Sequence, residues 1–169
     1  MSDQQPSISQ VLAERIASID GDGLTPAVRD VCARLLLDVI GLCVVARNAD
    51  YVAAALAAWP ERGAATVIGQ AQPMSAAGAA FVNGTAAHGE DFDDTFEGGP
   101  VHAGAVIVPA VLAVAEEEGL SGLAALRGVA VGVETICRLS LVVPKAVHKS
   151  GFHPTAIFGA MGSAAGVGG

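Results

Sequence analysis

NGTAAHGEDFDDTFEGGPVHAGAVIVP, residues 83–109, is the stretch around which the rest of this chain is organised. Two histidines, His88 and His102, stand there with Glu90, Asp91, Asp93, Asp94, Thr95 and Glu97, in a chain otherwise dominated by Ala, Val, Leu and Gly. The Ala-rich residues 76–87 read as helix. If that helix runs past Gly89, successive residues turn by about 100°. His88, Asp91 and Thr95 then share a face, with Asp94 at its edge, and Asp93 points away. Gly98, Gly99 and Pro100 must break the helix and bring the chain back at His102. An imidazole then lies near a carboxylate and a hydroxyl, an acid–base constellation. The bland alternative is a solvated acidic helix end.

Composition narrows the classes. At 169 residues the chain is long enough for one domain with a real hydrophobic core. It is 52% hydrophobic but only 4% aromatic and 15% charged, which suits helices packed closely through small side chains. A formal net charge of −8, with no basic stripe, argues against a nucleic-acid partner. Cys32, Cys43 and Cys137 sit in apolar, helix-like segments without metal-type spacing, so they read as reduced core residues of a cytoplasmic protein. The mean hydropathy of +0.53 raises the question of a membrane. The apolar runs are interrupted by Asp38, or by Arg127, Glu134 and Arg138, and none reaches the roughly 18–20 uncharged residues a span needs. The N-terminus lacks the basic and apolar regions of a signal peptide. We therefore expect no membrane partner, with apolar surface buried between subunits or domains.

Taken in order, residues 7–19 carry a helical apolar pattern with Ser7 as N-cap. Thr25-Pro26 opens a second helix that runs to about residue 47. Its apolar residues cover so much of the circumference that it should lie centrally in a bundle. Residues 51–59 form a third helix stopped by Pro60, and residues 64–68 a short strand. Residues 74–89 form the helix that delivers the acidic segment. Residues 105–118 follow as a helix tolerating Pro109 in its first turns and ending in a solvated Glu116–Glu118 run. Residues 123–142 and a segment starting near Pro154 complete the set. Gly41, Gly78, Gly84, Gly128 and Gly132 fall inside helical patterns, each at a cost of roughly 1 kcal/mol against Ala. Close helix–helix approach is the expected offset. The fold class is mainly α, a multi-helix bundle.

Two rival chemistries fail on the residues. Asp91-Phe92-Asp93-Asp94-Thr95 fits the D-x-D-x-T pattern of haloacid-dehalogenase-like phosphatases, but residues 84–90 cannot supply the buried strand that must precede it. A calcium loop starting at Asp91 would place Phe96 where glycine is needed and His102 where the bidentate Glu belongs. A zinc set of His88, Asp91 and His102 is a further reading. A second cluster, residues 145–154, gathers Lys145, His148, Lys149 and His153. It is either a solvated basic loop or, in an acidic protein, the local patch where a polycarboxylate settles.

Asn83-Gly84, His88, Asp91-Phe92-Asp93-Asp94-Thr95, His102 with Gly104-Ala105-Val106 and Pro109, and Gly151-Phe152-His153-Pro154 with the small residues 159–166 recur here in one order. Together with Leu37-Asp38-Val39-Ile40-Gly41, this order resembles the MmgE/PrpD family, which includes 2-methylcitrate dehydratase, cis-aconitate decarboxylase and iminodisuccinate epimerase. The resemblance covers most of the chain. It implies a helical domain over residues 1–169, a lyase or isomerase acting on a small di- or tricarboxylic acid, and neither metal nor cofactor. Such dehydration, decarboxylation or epimerisation needs a group that moves a proton at carbon and groups that hold the developing enolate. The resemblance places Asp91, Thr95, His102 and His153 in the pocket. His102 would donate or accept the proton, and His153 would contact a carboxylate or act as a second acid or base. Asp91 would orient or polarise its neighbours, and Thr95, His88 and Asp94 would contact the substrate.

Two departures stand out. Ala103 replaces the proline common after the family's equivalent of His102, and the Thr95–His102 segment is one residue longer than in the decarboxylase. Family members are also longer, adding active-site lysines and an α+β lid domain from later sequence. The expectation is therefore an incomplete site, served by the missing region or by a second polypeptide carrying the lid, in a homodimer or larger oligomer. The alternative is a non-catalytic helical module for dimerisation or ligand binding.

Overall fold

The computed structural model describes residues 5–19 and 23–168. Eight helices are found among them: α1 (Ile8–Ala17), α2 (Pro26–Ala46), α3 (Asp50–Ala58), α4 (Ala76–His88), α5 (Ala103–Glu117), α6 (Gly122–Val142), α7 (Ala146–Lys149) and α8 (Pro154–Gly168). Local chemistry starts most of them. Ser7 and Gln10 form a reciprocal capping box on α1. The hydroxyls of Thr25, Ser75 and Ser121 accept backbone N–H groups in the first turns of α2, α4 and α6. α7, a single turn within the basic cluster, is an addition to the expected set.

The central helix is α5. Nine of its fifteen residues are buried, and it packs against α2, α4, α6 and α8. Pro109 sits inside it, removing the N–H that would bond the Ala105 carbonyl. α4 crosses at this point through Gly84, where an added Cβ would stand 3.1 Å from that carbonyl oxygen. α2 does not take the central place its apolar circumference suggests. It buries only Cys32, Val39, Cys43 and Ala46, while Val31, Leu37 and Val45 are more than 60% exposed. The small side chains of α4 and α8 let each of those helices pack more extensively on α5 than the Leu- and Val-rich α2 does. Close helix–helix approach explains Gly84, Gly128 and Gly132, and the Trp59 ring leaves no room for a Cβ at Gly78, but among the described residues nothing lies within 4 Å of a Cβ at Gly41.

The expected strand at residues 64–68 is reduced to one antiparallel bridge, Ala65 to Met74. Its ladder groups are taken by a side chain instead. The buried Asn83 of α4 accepts the Ile68 N–H and donates to the Thr66 carbonyl, both at 2.9 Å. Glu116, expected to be purely solvated, accepts from the Thr66 hydroxyl at 2.7 Å. Cys32 and Cys43 are buried, Cys137 is half-buried, and all three are free thiols. Among the described residues, no helix is long and apolar enough to cross a membrane.

Candidate functional site

Three helix ends and one loop meet at one place. α4 ends at His88, His102 is the N-cap of α5, and His153 immediately precedes α8. The helix of residues 76–88 does not continue through the acidic segment. It stops at Gly89, which lies so close to the Tyr51 ring that a Cβ there would overlap it. The Tyr51 hydroxyl donates to Glu90 at 3.1 Å, and Asp91 turns into the left-handed region at φ 56°. The loop returns through a single bridge between Phe96 and Val101.

Losing the helical phase rearranges the acidic residues. Asp93, which a continued helix would turn outward, is at the centre of the cluster. Its side chain is fully buried, and both carboxylate oxygens lie 3.0 Å from His88 Nδ1. One of them is also 3.5 Å from His102 Nδ1. Asp91 stays 77% exposed, with an oxygen 3.7 Å from His102 Nε2. Thr95 Oγ1 is 3.5 Å from His102 Nδ1. Asp94 faces the other way and accepts the Gly104 N–H at 2.8 Å, in the first turn of α5. His88, Asp91, Thr95, His102 and His153 are thus brought together, whereas Asp94 is engaged as a helix cap.

The imidazoles form a connected array. Ring centroids lie 4.8 Å apart for His88 and His102, and 5.9 Å from His153 to each of them. His148 of α7 stands 6.0 Å beyond His153, so all four histidines of the chain are included. Burial holds His153 below the ordinary imidazole range, reinforced by His88, His102 and His148 and opposed by Asp91. Burial likewise pushes the Asp94 carboxyl up, against the Gly104 N–H and with help from Asp93. Among the described residues, no lysine or arginine pairs with Asp91, Asp93 or Asp94. An N–H on His88 Nδ1 that donates to Asp93 leaves Nε2 as the proton acceptor. The N-terminal ends of α5 and α8 supply the partial positive charge that favours an anion here.

Sequence reasoning missed two residues. Asp93 was misplaced, although Gly89 after His88 is a helix-stop signal that breaks the 3.6-residue phase. Thr155, directly after His153-Pro154, is buried, and its hydroxyl accepts the His102 N–H at 3.0 Å, fastening α8 to the start of α5. Beside the cluster runs an open, mostly apolar cavity of about 710 Å³. Its lining includes Tyr51, Phe81 and Ser163, and it reaches the imidazole array through His88 and Thr155.

Residues 10–169 match the profile of the MmgE/PrpD N-terminal domain. The chain is 32% identical to human cis-aconitate decarboxylase over 168 residues, covering 94% of this chain and 35% of that protein. It is 27% identical to the cis-aconitate decarboxylase of Aspergillus terreus, over 94% of this chain and 34% of the relative. A shorter match to the mouse cis-aconitate decarboxylase is 40% identical over 92 residues, 52% of this chain and 19% of that protein. The chain thus spans about a third of the length of the first two relatives. With nearly every residue inside the matched region and a mainly helical architecture among the described residues to go with it, this chain belongs to the MmgE/PrpD family, in the helical N-terminal domain.

Proposed function

We propose that the histidine array is the proton-transfer part of a site for a small di- or tricarboxylic acid, in the helical portion of a cofactor-independent lyase or isomerase. One observation carries this reading. His88, His102 and His153 converge with Asp91 and Asp93 beside two helix N-termini, in a family whose matched relatives are named cis-aconitate decarboxylases. His102, held by Asp93, Thr95 and Thr155, moves the proton at carbon. His153, its pKa lowered by burial, contacts a substrate carboxylate or serves as the second acid or base. Asp91 polarises His102 Nε2, Thr95 and His88 contact the substrate, and Asp94 holds the end of α5 in register.

The reaction also needs cationic groups to hold the developing oxyanion, and a cover that excludes water. Loss of one such contact typically costs about 10²–10³ in rate. The exposed Asp91, and the lack among the described residues of a lysine or arginine paired with Asp91, Asp93 or Asp94, support a reading in which those groups lie outside this constellation. They would come from further sequence of a longer polypeptide or from a second polypeptide. The same openness favours a second reading, a helical module that binds a carboxylate or dimerises without catalysis.

Calorimetric titration with citrate and cis-aconitate tests the site. His102→Ala and His153→Ala should weaken binding while leaving thermal unfolding unchanged, because both residues lie at helix starts rather than in the core. A collapse in thermal stability with binding intact would make them core histidines instead. Turnover by the chain alone should be negligible. Full turnover, with intact mass excluding a partner, would overturn the need for added groups.

A further inference from the structure

We propose that His88, Asp93 and His102, with Asp91 as fourth donor, form a binding site for a divalent transition ion of the zinc type. One donor atom from each of the four lies within 4.8 Å of all the others. Around a tetrahedral zinc with bonds of about 2.0–2.1 Å, neighbouring donors stand about 3.3 Å apart. Two of the present separations lie close to that value, 3.0 Å from Asp93 to His88 Nδ1 and 3.5 Å from Asp93 to His102 Nδ1, while Asp91 stands 3.7 Å from the other nitrogen of His102, Nε2. Closing the set around an ion requires the widest donor pair, up to 4.8 Å apart, to shorten toward that value, a movement open to the exposed Asp91 side chain.

Four further features support the site. Two imidazoles and two carboxylates suit zinc or its neighbours, whereas magnesium and calcium prefer all-oxygen shells. Asp93 is a fully buried carboxylate whose only partners of opposite potential charge among the described residues are histidines, so a cation there replaces a charge the protein does not otherwise provide. Access is open, since Asp91 is 77% exposed and His88 39%. The ligands are also held before binding: His88 by the end of α4, and His102 by its place at the start of α5 and its bond to Thr155. An ion bound here takes the imidazole lone pairs that proton transfer would use. In consequence, metal and turnover exclude one another. That consequence rests on the proposed function; the binding itself does not.

The test is titration of the metal-free purified chain with ZnCl2, followed by calorimetry, with Co2+ absorption reporting the coordination geometry. One ion should bind per chain. Asp93→Asn and His88→Ala should each weaken it by at least the ~10–100-fold lost when an outer-shell partner is removed. His148→Ala, outside the four, should leave it unchanged. No binding, or binding indifferent to both substitutions, overturns the site. If Asp93→Asn fails to fold by circular dichroism, the half-exposed His88 decides alone by the same criterion. Citrate titration in the absence of metal separates the two readings. Zinc binding without citrate binding removes the proposed function and keeps the metal site, and the reverse removes only the metal site.

Discussion

Asp93 and Asp94 are neighbours with opposite tasks, and the loop between α4 and α5 is what separates them. Because the backbone there is not helical, their carboxylates diverge, one into the imidazoles and the other onto the Gly104 N–H. Asp94→Ala should therefore lower unfolding stability by about 1 kcal/mol, the usual cost of a lost helix cap, with Asp94→Asn recovering most of it. An unchanged urea midpoint for the alanine variant would remove Asp94 from the capping role. The thiols make a second prediction at this scale. Burial pushes Cys43 and Cys137 up to about 11, and the Cys43 thiol donates to the Asn83 carbonyl at 3.2 Å. A pKa raised in the folded state contributes stability that is complete below the unfolded value, about 9, and is lost as pH climbs through the folded one. The stability advantage of the native protein over Cys43→Ala should shrink between about pH 9 and about pH 11. A constant difference across that window would contradict the burial argument.

Helix α6 shows how an element is fixed by residues that have no side chain. Gly128 and Gly132 of α6 face Gly166 and Gly162 of α8 in an antiparallel crossing. A Cβ at Gly132 would stand 3.0 Å from the Gly162 carbonyl oxygen, and one at Gly166 2.7 Å from that of Gly128. Backbone atoms cannot rotate away, and this pair of helices makes the most extensive contact in the protein. Gly132→Ala should destabilise by about 1–3 kcal/mol despite its better helix propensity, read from thermal or urea unfolding. A stabilised variant would mean the crossing is looser than described. Much at this scale is legible in the sequence, because caps are local. Ser7, Thr25 and Pro26 mark helix starts, and internal glycines foretell close crossings at Gly84, Gly128 and Gly132. What is not legible depends on distant partners. Periodicity cannot show that Asn83 will take the backbone groups of residues 66–68, nor that Tyr51 leaves no room for a side chain at Gly89. The second of these conceals Asp93.

At the scale of the whole molecule, the unanswered feature is the outer face of α2. Leu37, Gly41 and Val45 follow one another at helical spacing, with Val44 and Ile40 beside them. Leu37 is 72% and Val45 78% exposed, and nothing lies within 4 Å of a Cβ at Gly41. A glycine in mid-helix costs roughly 1 kcal/mol relative to alanine, and no neighbour among the described residues accounts for it. An apolar face centred on such a glycine is shaped for the close approach of another helix, and contiguous apolar patches of this kind mark interaction surfaces. The prediction is that the chain self-associates through α2. Sedimentation at micromolar concentration should show a dimer or larger species, and Leu37→Glu with Val45→Glu should shift it toward monomer without loss of helical circular dichroism. Neither residue is in the core, so the substitutions bear on association rather than folding. Gly41→Leu should weaken association as well, by blocking the approach while adding apolar area. That last variant separates the two explanations of the face. A non-specific sticky patch would associate more strongly with the added leucine, whereas a fitted helix crossing would associate less.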